Sequence, residues 1–314
     1  MWNRREFIKS LTGIGCIAGM GNYEWVAEQL VKNDLLKLTI LHTNDWHSHI
    51  DPWKENDPKH PREGGFLKRD DFISKVRVEN EHVILLDAGD IFQGTPYFNF
   101  YGGELELKLM SSVSYDAATM GNHDFDNGLM GFEKMLPHAN FPFVCSNYSF
   151  ENTILKGKTK PYHIINKGPL KIGIIGIGIE LAGLVTKNLY EETQYLPPVE
   201  ILNNTAKMLK KEEKCNLVIC ISHLGFEYKT KKLSDRILAA ESVYTDIIIG
   251  GHTHTFLDSP IYVPNKMGQQ VLISQAGWAG LRIGKIDVIF AKQAMPKNTD
   301  TSENVYLKRE IHRL

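Results

Sequence analysis

Five times in this chain an apolar run stops and gives way at once to residues that bind metals. Leu38-Thr39-Ile40-Leu41 leads to Asp45-Trp46-His47, and Val83-Ile84-Leu85-Leu86 to Asp87-Ala88-Gly89-Asp90. Ala117-Ala118-Thr119-Met120 leads to Gly121-Asn122-His123-Asp124, Leu217-Val218-Ile219-Cys220-Ile221 to Ser222-His223, and Ile247-Ile248-Ile249 to Gly250-Gly251-His252-Thr253-His254. Short apolar runs bounded by turn residues predict strands buried on both faces, as in a largely parallel sheet. The strand ends of an open α/β sheet share one edge, and ligands bind there. A single histidine after a strand is usually a core residue. Five such endings along one edge predict a metal centre, and a double one.

The residue types suit that reading. In Asp45-Trp46-His47 alternate residues of an extended segment point the same way, so carboxylate and imidazole can meet one ion. His252 and His254 have the same spacing, although a loop can instead aim the two rings at neighbouring ions. Asp90 follows Gly89, which permits a sharp turn, and a carboxylate there is placed to bridge two cations. Asn122 offers a neutral carbonyl oxygen and keeps the ligand charge low. Imidazole, carboxylate and amide without thiolate suit Mn, Zn, Fe or Ni rather than a structural zinc.

Composition narrows the partners. The formal net charge of −1 over 314 residues gives no basic footprint for a nucleic-acid polymer or a membrane surface. An anionic substrate would be drawn in by the cations themselves. Cys16, Cys145, Cys215 and Cys220 contain no Cys-x-x-Cys pair, and Cys145 and Cys220 lie in apolar runs where a buried free thiol is expected.

Residues 1–34 read as an export signal and linker, and residues 35–314 as one catalytic domain. Arg4-Arg5-Glu6-Phe7-Ile8-Lys9 resembles the twin-arginine export signal, and the glycine-rich apolar stretch Leu11–Met20 after it is too short to span a bilayer. This predicts a protein exported to the periplasm or cell envelope. Cys16 is a minor option for lipidation, and no clean cleavage site is visible.

Within the domain, strands are predicted at Leu36–Leu41, Val83–Asp87, Ala117–Met120, Phe141–Ser146, Lys171–Ile177, Leu217–Ile221, Asp246–Ile249, Val271–Gln275 and Ile283–Phe290. Helices are predicted at Leu67–Glu79, Glu104–Ser112 and from Pro198 to about Glu212. Gly173, Gly176 and Gly178 belong to a buried strand rather than a dinucleotide loop. The segment Asp51–Gly65 is long enough to form an active-site rim, and a last short strand is expected in the polar tail.

The order Asp-x-His, Gly-Asp, Gly-Asn-His-Asp, His, Gly-His-x-His resembles the calcineurin-like metallophosphoesterases. Leu41-His42-Thr43-Asn44-Asp45-Trp46-His47-Ser48-His49 is similar to the opening of their 5′-nucleotidase and 2′,3′-cyclic phosphodiesterase branch. Asp90–Thr95, Gly121–Gly128 and Gln275–Gly284 resemble it too. The resemblance implies a four-layer α/β/β/α sandwich, and two divalent metal ions, with Mn, Zn or Fe favoured. It implies a first metal on Asp45, His47, Asp90 and His254, and a second on Asp90, Asn122, His223 and His252, with Asp90 bridging. In some nucleotidases the last ligand of the first site is Gln. It further implies two-metal hydrolysis of a phosphoester, with Asn122 and His123 on the substrate and His123 protonating the leaving oxygen. Asp126 is favoured over Asp124 as the residue that orients His123.

Nucleotidases of this branch also carry a C-terminal domain that holds the nucleoside, and no equivalent is evident before Leu314. The expectation is a small phosphoester substrate, a nucleotide above others, with weak binding or with a separate chain resembling that domain docked over the metal edge. The alternatives are hydrolysis of a sulfur ester on the same fold, or a non-catalytic metal-binding scaffold.

Overall fold

The computed structural model describes residues 35–259, 261–291 and 305–314. The expected export signal and Cys16 lie outside them. The chain runs β1 (Leu35–Thr43), α1 (Phe66–Glu79), β2 (Val83–Asp87), α2 (Pro96–Tyr101), α3 (Glu104–Ser112) and β3 (Ala117–Ala118). It continues through α4 (Gly128–Met135), β4 (Tyr148–Ser149), β5 (His163–Lys167), β6 (Leu170–Ile177), α5 (Lys187–Tyr190), β7 (Gln194–Tyr195) and α6 (Pro198–Lys211). Then come β8 (Leu217–Ser222), α7 (Asp235–Glu241), β9 (Ile247–Gly250), β10 (Ile261–Pro264), β11 (Gln270–Ser274), β12 (Arg282–Ala291) and β13 (Val305–Arg313).

Two large sheets result, one in the order β13-β12-β1-β2-β3 and the other β10-β11-β9-β8-β6-β5, and β4 pairs with β7 in a separate two-stranded sheet. The central strands of the large sheets are apolar on both faces because both faces are covered. Leu38, Ile40, Ile84 and Leu86 meet Ile172, Ile174, Ile219, Ile221 and Ile249 between the sheets. The alternate residues Leu41, Val83 and Leu85 face outward onto Ile73 and Val76 of α1 and Leu107 and Met110 of α3. On the far side Ile175, Val218, Cys220 and Ile248 pack on Leu202, Ala206 and Leu209 of α6 and Leu238 of α7. The period of two within each strand thus builds a four-layer α/β/β/α sandwich with three apolar seams.

Register then sets the metal-binding edge. Parallel pairing of Thr43 with Asp87 puts the loops after β1 and β2 side by side, and Ser222 opposite Gly250 does the same for β8 and β9. Gly173 and Gly176 lie within β6. Cys145, Cys215 and Cys220 are buried free thiols.

One predicted strand is absent. Phe141–Ser146 forms only isolated bridges, Phe143 with Ala118 and Val144 with Lys160. Its backbone changes partner along its length: Val144 donates to Ala118 O at 2.8 Å, Cys145 to Lys160 O at 2.8 Å and Ser146 to Gly176 O at 2.8 Å. The segment crosses from the first sheet to the second, so no continuous ladder forms, and β3 is correspondingly cut to Ala117–Ala118. Among the described residues no helix is long and apolar enough to cross a membrane.

Candidate metal centre

Three of the loops at this edge, those after β1, β2 and β9, are tightly wound. Asp45, His47, Asp90, His252 and His254 all have positive φ, between 49° and 71°. L residues adopt this region at a cost of about 1–3 kcal/mol each, and such strain persists only where the surroundings enforce it. Here backbone bonds lace the loops together. Asp45 N donates to Gly89 O at 2.9 Å, His47 N to Asp90 O at 3.0 Å, and Ala279 N to Asp45 O at 2.7 Å. The third loop closes on Asp90 only because residue 121 is glycine, since a Cβ there would lie 2.2 Å from Asp90 Oδ1.

Two trios of donor groups converge. Asp45, His47 and His254 form one, and Asp90, His223 and His252 the other, each with its ligand atoms within 4.8 Å of one another. His47 Nε2 and His254 Nε2 are 3.0 Å apart, and His254 Nε2 is 3.4 Å from Asp45 Oδ1. Asp90 Oδ2 stands between the trios, 3.0 Å from His223 Nε2 and 3.8 Å from His47 Nε2. The second sheet is tied to the first here: His252 N donates to both Asp45 carboxylate oxygens, at 2.9 and 3.0 Å. His252 and His254, open between one ion and two from sequence, fall in different trios.

The hydrogen bonds of the rings show what the Nε2 atoms are prepared for. His223 Nδ1 lies 2.7 Å from Ala88 O and His47 Nδ1 lies 3.0 Å from Gln93 O. A carbonyl only accepts, so each Nδ1 carries a proton, which leaves Nε2 as the nitrogen aimed into the centre and available to a metal ion, the arrangement of a metal-ligating histidine. Asn122 Oδ1 is buried without a hydrogen-bond partner, and His223 Nε2 faces only the Asp90 carboxylate. Orphaned buried polar atoms of this kind are costly unless an ion or water satisfies them. Donor set, tautomers and the orphaned oxygen all fit divalent cations.

Electrostatics agree. Burial would lower the His223 pKa, but Asp90 and Asp45 outweigh it and raise it to about 10. Burial would raise that of Asp90, but His223 and the neighbouring imidazoles hold it well below the usual carboxylate range. The Asp90 carboxylate is therefore ionised and seeks positive charge. Burial lowers His47, and burial with nearby His223 lowers His252 to about 4, so both imidazoles stay neutral and able to ligate at neutral pH.

His123 sits at the rim, its ring 5.3 Å from that of His47 and its side chain 37% exposed. Its Nδ1 bonds to Asp126 Oδ2 at 2.9 Å, and this bond raises its pKa. Asp124 has a different task. Its carboxylate is buried and accepts the backbone N–H of Asp90, Ile91, Phe92 and Gly121, at 2.8–3.2 Å. It holds the Asp90 loop in shape, which leaves Asp126 as the partner of His123.

Several residues that organise the centre carry no signal in composition or period. Asn44 donates to Asp45 Oδ2 and to Gly277 O, each at 2.6 Å, and accepts from Ala276 N. Gln275 donates to Gly251 O and accepts from Thr255 N, both at 2.5 Å, and so shapes the His252–His254 loop. Trp278 stacks on the His254 ring at 5.2 Å and 2°. Arg69 is buried, its guanidinium 4.3 Å from the centre of the Trp46 ring that separates Asp45 from His47. His42 is buried with Nε2 2.7 Å from Ser274 Oγ.

Comparison with known proteins agrees with this geometry. The calcineurin-like phosphoesterase family matches residues 38–256. A snake venom 5′-nucleotidase of Crotalus adamanteus is 34% identical, over 88% of this chain and 51% of its own length. The trifunctional nucleotide phosphoesterase protein YfkN of Bacillus subtilis is 31% identical over 89% of this chain and 21% of its own. The crystal structure of a 5′-nucleotidase precursor from Thermus thermophilus superposes with a TM-score of 0.78 at 29% identity, covering 89% of this chain and 55% of that one. The chain spans about half the length of the venom nucleotidase, and less of YfkN. With the whole sandwich, both trios and the family match in agreement, the chain belongs to the calcineurin-like phosphoesterases.

Proposed function

We propose that the chain hydrolyses nucleotides, as a 5′-nucleotidase-like phosphomonoesterase or a 2′,3′-cyclic phosphodiesterase. The observation that carries this is the pair of donor trios meeting at Asp90, with the His123–Asp126 pair on their rim. Asp45, His47, Asp90 and His254 would hold one divalent ion, and Asp90, Asn122, His223 and His252 the other. Two such ions supply the charge that makes water a nucleophile at neutral pH and neutralises the phosphoryl oxygens. Asn122 and His123 orient the phosphoryl group. His123, kept protonated by Asp126, delivers a proton from the rim side to the leaving oxygen, a role worth roughly 10²–10⁴ in rate. The twin-arginine-like segment around Arg4-Arg5 supports action in the periplasm or envelope. Contacts to the nucleoside come from this chain's own loops or from a separate domain.

The test is a panel of nucleoside 5′-monophosphates, 2′,3′-cyclic nucleotides, an aryl phosphate and an aryl sulfate on Mn²⁺-reconstituted protein. Phosphoesters should turn over and the sulfate ester should not. His123→Ala should lower kcat far more for alkyl than for aryl phosphates while leaving metal content unchanged. Protein that retains no metal and cleaves no phosphoester would refute the reading.

A further inference from the structure

Beside the metal edge lies a cavity of about 480 Å³, walled by the segment His49–Pro58 on one side and Thr95–Tyr97 on the other. That volume falls within the roughly 300–1,000 Å³ of pockets that enclose a small organic ligand. Its walls are tied down. Tyr97 Oη donates to Asp51 Oδ2 at 2.7 Å, joining the two walls, and Thr95 Oγ1 donates at 2.7 Å to the carbonyl of Ser48, the residue after His47. Trp53 N donates to Glu63 O at 2.9 Å and Phe66 N to Ile50 O at 2.7 Å, which fix the long loop at both ends.

The aromatic groups of this wall continue into the metal centre. Trp53 stacks on His49 at 5.0 Å and 14°, and meets Trp278 edge-on at 5.8 Å. Trp278 in turn lies parallel to the His254 ring. Trp46, Phe92 and Phe98 beside these loops are core residues, whereas Trp53 and Tyr97 are only half-buried and line the cavity. Among the charged side chains of the wall, Asp51 and Asp57 stand against Lys54. The balance disfavours a second phosphate and suits a neutral group with N–H donors.

We propose that this cavity takes the base of a nucleoside monophosphate, stacked against Trp53, while the phosphate sits at the metal edge. The proposal rests on the phosphoesterase reading above and deepens it. The chain's own loops then read the leaving group. Base–aromatic stacking is sequence-tolerant, because every base has a π-face, so the pocket favours nucleosides over bare sugars without strong choice among bases.

Two measurements on the full chain test it. In metal-free protein, calorimetric titration with adenosine should show binding that ribose does not, and Trp53→Ala should weaken it by about tenfold or more. In Mn²⁺-loaded protein, the kcat/KM preference for adenosine 5′-monophosphate over ribose 5-phosphate should fall by on the order of tenfold in Trp53→Ala, through KM, and be largely kept in Trp53→Phe. Tyr97→Ala provides a second wall variant should Trp53→Ala fail to fold. Wild-type protein that binds adenosine no better than ribose, or variants that slow both substrates equally, would overturn the pocket. Failure of the phosphoesterase reading looks different: adenosine still binds, but no phosphate ester is cleaved.

Discussion

Asp126→Asn isolates the proton-donor role of His123 from metal binding, because Asp126 belongs to neither donor trio. In the wild type the 2.9 Å bond from His123 Nδ1 to Asp126 Oδ2 is the main reason the imidazole holds its proton above its ordinary pKa. Asparagine still accepts that bond but carries no charge, and burial, which lowers the histidine, is then unopposed by Asp126. A hydrogen bond to a charged group is worth about 1.5–3 kcal/mol, or roughly 1–2 pK units. The two side chains are 37% and 29% exposed, so solvent screening makes the downward displacement smaller than a fully buried pair would show. The sign is fixed: a raised acid is protonated to higher pH, so lowering it moves the basic limb of the kcat profile down. The variant should match wild type at low pH and fall about tenfold behind on the basic side for an alkyl phosphate, with a much smaller deficit for an aryl phosphate. The assay is kcat against pH for both esters, with metal content measured alongside. A deficit that is uniform in pH, or equal for the two esters, would falsify proton donation by this pair.

Two further outcomes follow from the same geometry. Asp90→Asn should reduce bound metal at both positions, by elemental analysis, because Asp90 Oδ2 faces His223 Nε2 and His47 Nε2 together; loss of only one ion would show that it does not bridge. His223, raised to about 10, contributes stability to the metal-free protein that is complete below its ordinary pKa of about 6.5 and is lost as pH rises towards 10. Asp87 and Asp235, pushed up to about 7 and 8 by burial, add a loss of the same sign, because the native state keeps protons that the unfolded chain releases. Urea midpoints should therefore fall with pH more steeply in EDTA than in Mn²⁺, where the ion replaces the His223 proton; identical slopes would count against a metal at His223.

Much of the fold was legible because burial on two faces leaves an unmistakable mark. Val83–Asp87 and Glu104–Ser112 have the predicted bounds, and Leu217–Ser222, Ile247–Gly250 and Pro198–Lys211 differ by a residue or so at an end. The short elements α2, α4, β4, β5, α5, β7, α7 and β10 were not anticipated, and Phe141–Ser146 forms no ladder although a strand is predicted there. Short elements bury too few residues for periodicity to register, and a segment that changes partner along its length still reads as an apolar strand.

At the metal edge the sequence by itself determined the inventory of candidate ligands and that they follow strands. Tertiary structure decided their distribution. His252 and His254 are two residues apart, yet positive φ at both turns the rings towards different trios. Motif position favours Asp126 over Asp124 as the partner of His123, and the turn of the third loop shows why: it spends Asp124 on backbone N–H groups and brings Asp126 to the imidazole. Arg69 under Trp46, Gln275 beneath the His252 loop and Trp53 on the cavity wall come from distant positions and no shared period. Local order is written in periodicity, but which side chains meet across two sheets is set by register and loop conformation, which no window along the chain contains.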